Sequence, residues 1–114
     1  MLPADARLRS SAEFRSAMRS GTRSGRRTVV VHLALTGDAS RMAGFAVSKA
    51  VGGAVVRNRV KRRLRAIMSP RLAALPAGSS VVVRALPPAA AASFATLEAD
   101  VDGALRHAMS KAGR

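Results

Sequence analysis

Between residues 55 and 65 the chain reads VVRNRVKRRLR, and from Arg57 onward six guanidinium or ammonium groups fall within nine residues. The one uncharged polar side chain among them is Asn58. The chemistry open to such a run is anion recognition. Guanidinium groups present planar forks that match phosphate oxygens, and an ammonium adds a compact point charge. A solvated helix face normally alternates signs to gain pairing across each turn, whereas this run accumulates only repulsion. No Asp or Glu occurs between Asp38 and Glu98, so no carboxylate nearby in sequence neutralises it. Phosphates of a polyanion are the partners it fits. No Ser/His/Asp constellation or carboxylate pair accompanies the run, and GGAVV (52–56) lacks the spacing of a phosphate-binding loop. No catalytic residue is therefore assigned, and the chain alone offers no catalytic machinery.

The whole chain supports the same reading. Its 114 residues carry 20 Lys+Arg against 6 Asp+Glu, a formal charge of +14. That much charge on a small surface repels itself unless polyanions complete the electrostatics. Of the basic residues 17 are Arg and 3 are Lys, a bias suited to phosphate forks and base stacking. With 48% apolar residues there is material for one modest core, and with no cysteine there is neither a disulfide frame nor a thiolate metal site. Arg7 and Arg9 precede any apolar run, so no signal peptide is read. The longest apolar stretches, 29–35 and 85–92, fall far short of the ~20 residues that span a bilayer. The expectation is a soluble, cytoplasmic protein with no membrane partner.

A pass along the chain supplies the elements that must hold the basic run. Residues 1–9 read as a flexible basic lead-in. Ser10 and Glu13 form a capping box for a first helix that carries Phe14, Ala17 and Met18 on one side and ends near Gly21. TRSGRR (22–27) reads as a basic loop. From 28 to 35 the period changes to two, with Val29, Val31, Leu33 and Leu35 on a greasy face and Thr28, Val30, His32 and Ala34 on a mixed one. After the turn TGDAS (36–40), residues 41–48 form a second strand, expected to pair with the first as an antiparallel hairpin. A helix is predicted over 54–68, closed by Pro70, then a buried strand over 80–86 and a last helix over 93–111. On that last helix Phe94, Leu97, Val101, Leu105 and Ala108 form the apolar side. The order α-β-β-α-β-α makes one domain, residues 1–114, of α+β class, a small sheet with helices packed on it.

At 100° per residue the basic helix sorts itself. Val56, Val60, Leu64 and Ile67 form the core stripe, Arg57, Asn58, Lys61, Arg62 and Arg65 gather on the far side, and Arg59 and Arg63 flank the stripe. Strands rather than a second close helix flank it, which argues against a helix-turn-helix DNA reader, and no wedge residue of an architectural protein is evident. Structured RNA, with clustered phosphates and 2′-hydroxyls, fits better.

GFAVSKAVGGAVVRNRVKRRLR (44–65) closely resembles the signature of bacterial ribonuclease P protein subunits, approximately G-x-x-V-S-K-K-x-G-x-A-V-x-R-N-R-x-K-R-x-x-R. LRSSAEFRSAMRSGTR (8–23) is similar to that family's first helix and VVVRALP (81–87) to its last strand. The resemblance implies a ribosomal protein S5 domain 2-like fold with a mixed sheet. It also implies a left-handed β-α-β crossover, against the usual right-handed rule. It implies the protein component of an endoribonuclease, a hydrolase acting in tRNA processing, in which a large RNA removes the 5′ leader of precursor tRNA. Partners are then the catalytic RNA and the leader, with no protein partner required. No cofactor is expected on the protein, and Mg2+ is expected with the RNA. Carried over by position, Arg57, Asn58, Arg59, Lys61, Arg62 and Arg65 would bind the catalytic RNA. Phe14, Met18, Val30 and His32 would line a leader cleft with Ser48 and Lys49 at its edge. The chain departs from the family pattern at Met18 and His32, where aromatics are common, at Ala50, and at the inverted pair Arg84-Ala85. The alternative is a ribosomal-type structural RNA-binding protein.

Overall fold

The computed structural model describes residues 21–35 and 41–112. Four strands and two helices follow one another as β1 (Thr22–Gly25), β2 (Val29–Leu35), β3 (Met42–Ala46), α1 (Ala54–Leu72), β4 (Ser79–Ala85) and α2 (Phe94–Ala112), with a 3-10 turn at Pro87–Ala90 between β4 and α2. The predicted first helix, with its capping box, and the turn at 36–40 lie outside the described residues.

Val81, Val82 and Val83 of β4 are all fully buried, so this strand is apolar on both faces. Such a strand belongs in the middle of a sheet, where each edge finds a hydrogen-bonding neighbour. The sheet order is accordingly β1-β2-β4-β3. β4 runs antiparallel to β2 (Val31 opposite Val83) and parallel to β3 (Phe45 opposite Val83). This corrects the expected hairpin: the two strands are consecutive in sequence, but β4 lies between them and satisfies both. β3 and β4 run parallel and are joined through α1, the pairing that a β-α-β crossover requires.

TRSGRR is likewise not a simple loop. Thr22–Gly25 forms an edge strand antiparallel to β2, with Arg23 opposite His32. The turn into β2 is closed by the Arg26 amide donating to Val29 O at 2.8 Å. Polar side chains, rather than apolar alternation, hold this strand against α2. Thr22 Oγ1 donates to Ala108 O at 2.8 Å, Ser24 Oγ lies 3.0 Å from His107 Nδ1, and Lys111 Nζ donates to Arg23 O at 2.8 Å.

Both helices cover the sheet face that carries Val29, Val31, Leu33, Ala43, Val81 and Val83. α1 adds Val60, Leu64, Ile67 and Met68 to this core, and α2 adds Leu97, Val101, Ala104 and Leu105. Leu35, predicted for the same face, is 53% exposed at the end of β2. Phe94 continues the α2 stripe in sequence but is 41% exposed, since a stripe is buried only where an element faces it. Ser93 caps α2, its Oγ accepting from the Thr96 amide at 3.1 Å.

α1 runs through Pro70 to Leu72, four residues past the predicted end at 68. A proline inside a helix costs about 3 kcal/mol or more through a missing hydrogen bond and a ring clash. Here the last turn is held from outside. Met68 and Leu72 are buried, and Arg71 donates to Ile67 O at 2.7 Å while reaching Glu98 and Asp102 on α2 at 3.5 and 3.3 Å.

Candidate RNA interface

α1 begins at Gly53, which caps it with extended backbone and no side-chain hydrogen bond, and its first turn contains no acidic residue. The positive end of the helix dipole therefore adds to the charge that follows. Val60 and Leu64 fix the rotation of the helix by facing the core, and that rotation turns Asn58, Lys61, Arg62 and Arg65 outward. With Val55, which is 79% exposed, these four line a shallow depression of about 450 Å³. Arg57 and Arg65 are half-buried through their stems, and the Nε of each is hidden without a hydrogen-bond partner. Among the described residues the ion pairs involve only Arg71 and Arg106, so Arg57, Lys61, Arg62 and Arg65 meet no carboxylate. A row of unneutralised cations on a rigid helix is suited to gripping clustered phosphates by shape.

Arg59, predicted for the same grip, points elsewhere. Its Nη2 donates to Ala90 O at 3.0 Å, and Arg63, one turn on, donates through Nη1 to Ala92 O at 3.0 Å. The helical projection shows both beside the apolar stripe; it gives no sign of their carbonyl partners in the β4–α2 connection.

The second face of the sheet carries Val30, His32, Ala34, Met42, Ala46, Ser80, Val82 and Arg84, and neither described helix packs on it. The register sets His32 between Arg23 on β1 and Val82 on β4, with Arg84 opposite the adjacent Val30. His32 is only 3% exposed, and neither ring nitrogen has a hydrogen-bond partner among the described residues. Burial holds its pKa below the usual imidazole value, and the nearby charges of Arg84 and Arg23 push it the same way. It is thus a neutral ring in the floor of this face rather than a ring displayed on it. Val30 and Arg84 are half-buried and Arg23 is exposed, so the face combines apolar floor with guanidinium rim. Ser48 and Lys49 are both exposed in the turn after β3, where the Val51 amide donates to Ser48 O at 3.1 Å. Phe14 and Met18 lie outside the described residues. Sequence reasoning passes over Arg23 and Arg84 as members of this face, although Arg84 alternates with Val82 and its position can be counted.

A mixed sheet backed by two helices, one bearing an unneutralised row of cations, defines a small RNA-binding α+β domain. The ribonuclease P family model matches residues 2–109. The ribonuclease P protein component of Beutenbergia cavernae is 61% identical over 107 residues, covering 92% of this chain and 89% of that protein. That of Streptomyces avermitilis is 50% identical over 123 residues and covers 100% of both chains. Among solved structures, the Staphylococcus aureus RNase P protein superposes with a TM-score of 0.82 at 25% identity, covering 90% of this chain and 94% of that one. The chain belongs to the ribonuclease P protein family. Among its described residues no helix is long and apolar enough to cross a membrane.

Proposed function

We propose that this chain is the protein subunit of a ribonuclease P ribonucleoprotein, assisting a catalytic RNA in the endonucleolytic removal of the 5′ leader from precursor tRNA. The observation that carries the reading is the row Arg57, Lys61, Arg62 and Arg65, four cations on one helix that meet no carboxylate among the described residues. These groups, with Asn58, bind phosphates of the catalytic RNA and lower the repulsion that limits its folding. The second sheet face binds the single-stranded leader. Arg23 and Arg84 meet its phosphates, Val30 and the buried His32 form the floor, and Lys49 and Ser48 stand at the edge. Phe14 belongs to this leader-binding set by its match to the family pattern, and Met18 by its position in that pattern, where an aromatic is common. The bond-breaking step belongs to the RNA, which also brings the Mg2+ that its chemistry requires. The protein supplies binding, and it acts in the cytoplasm, where precursor tRNA is made.

Reconstitution tests this directly. The purified chain is added to a catalytic RNA of this class, and cleavage of precursor tRNA is followed at low magnesium. Stimulated cleavage at the mature 5′ end is expected. A protein that binds the RNA yet leaves cleavage unchanged would be a general RNA-binding protein of ribosomal type.

A further inference from the structure

The basic residues of α1 do two different jobs. Arg59 and Arg63 stand one turn apart on the side of the helix that faces the β4–α2 connection. Each donates to a main-chain carbonyl there, Ala90 O and Ala92 O respectively, both at 3.0 Å. These carbonyls fall at the end of the 3-10 turn and just before the Ser93 cap of α2. The carbonyl that ends a helical turn, here Ala90 O, lacks an intrahelical donor, and Ala92 O lies in the connection outside either helix, so both take an outside partner. Guanidinium groups reaching from a neighbouring helix provide it. Ala89, within the same turn, is fully buried, so the connection is packed against the core. At its other end α1 is tied by Arg71 to Glu98 and Asp102. α1 is therefore pinned to the α2 side at two levels, by Arg59 and Arg63 up to its midpoint and by Arg71 in its last turn.

We infer that Arg59 and Arg63 are positioning residues, which brace α1 so that Arg57, Lys61, Arg62 and Arg65 are held as one phosphate-binding row, and that they do not themselves contact RNA phosphates. The inference rests on the reading of α1 as the RNA-binding element. It divides the six cations of residues 57–65 into a gripping set of four and a bracing pair.

The two roles separate in a salt series. Deleting a cation that meets a phosphate makes the log–log dependence of affinity on salt shallower by something under about 1 unit, because fewer counterions are released. Deleting a brace misaligns the row and leaves its charge in place. Arg59→Met and Arg63→Met, each keeping an unbranched stem, are compared with Arg62→Met for binding to a ribonuclease P catalytic RNA and for Tm. Arg62→Met is expected to flatten the slope and leave Tm unchanged. Arg59→Met and Arg63→Met are expected to weaken binding roughly two- to ten-fold at every salt concentration, the scale of one missing hydrogen bond, with the slope unchanged and Tm lowered. A slope flattened by Arg59→Met as much as by Arg62→Met makes Arg59 a phosphate ligand and overturns the division. A lowered Tm with full affinity makes the pair purely stabilising and overturns it as well. Each single variant keeps the other brace, so Arg63→Met carries the test should Arg59→Met fail to fold. If Arg62→Met also leaves the slope unchanged, the reading of α1 as the RNA face falls, and the inference with it.

Discussion

Thr28 donates both its hydroxyl, at 2.6 Å, and its amide, at 3.2 Å, to the single carboxylate oxygen Oδ2 of Asp100. The interaction joins the entry of β2 to the first half of α2 and sets where the helix crosses the sheet. Thr28 is 1% exposed, so water cannot replace the carboxylate. Asp100→Ala is expected to destabilise the fold by about 1–3 kcal/mol, the cost of leaving buried donors unpaired. Urea unfolding of parent and variant measures it, and an unchanged midpoint would mean that β2 and α2 hold their places without this carboxylate.

The apolar stripe of α1 makes a second stability prediction. Leu64 is fully buried between the sheet and α2. Leu64→Ala should lower stability by about 2–5 kcal/mol, the range for truncated buried leucines. Because the same rotation that buries Leu64 turns Arg62 and Arg65 outward, this variant should also weaken RNA binding near its melting range, yet bind normally well below it.

The outward row predicts a salt effect. Arg57→Ala, Lys61→Ala and Arg65→Ala combined should weaken assembly with the catalytic RNA and flatten its salt dependence by up to about 2–3 units, under 1 for each phosphate released. A folded triple variant with the parent's slope would show that this face is merely solvated.

His32 gives the protein a pH dependence of known sign. Its folded pKa lies below the unfolded value, first through burial and then through Arg84 and Arg23. The unfolded chain therefore binds the proton more readily. The stability due to the neutral ring is complete above the unfolded value, about 6.5, and is lost as pH falls from there towards the folded one. A comparison of the parent with a variant that lacks only this ring isolates His32. Between pH 7 and pH 5 the urea midpoint of the parent should fall further than that of His32→Leu. Parallel pH profiles would show that His32 is freely protonated in the folded state.

What can be read in the sequence follows the kind of force involved. The core faces of β2 and α1 are legible because burial imposes a period, and Val29, Val31, Leu33, Val60 and Leu64 keep it. Strand pairing is not, because a period states which side of a strand is buried and not which neighbour lies beside it. Val81–Val83 carries the missing clue as an unbroken apolar run. β1 escapes notice because Thr22 and Ser24 are held by hydrogen bonds to α2, which leave no periodic trace. Pro70 reads as a helix stop, since its cost is local while the hold of Arg71 on Glu98 and Asp102 is tertiary. In the site, the excess charge of α1 is plain. The diversion of Arg59 is not, because its partner is a main-chain carbonyl that no residue type signals.

The second sheet face makes the prediction that separates the two RNA surfaces. Arg23 lies opposite His32 in the strand register and Arg84 opposite Val30 on the same face, and neither meets a carboxylate among the described residues. Both are remote in sequence from α1, so a change on this face need not disturb the row at Arg57–Arg65. Arg23→Ala combined with Arg84→Ala should leave affinity for the catalytic RNA close to that of the parent. It should weaken binding of leader-bearing precursor tRNA by the holoenzyme, with the salt slope shallower by about 0.7 for each single-strand phosphate released. Mature tRNA, which has no leader, should bind as before. The comparison carries its own control, since general damage to the fold would weaken leader-bearing and leaderless tRNA together. An equal effect on both would take the leader off this face and leave α1 as the protein's RNA-binding surface.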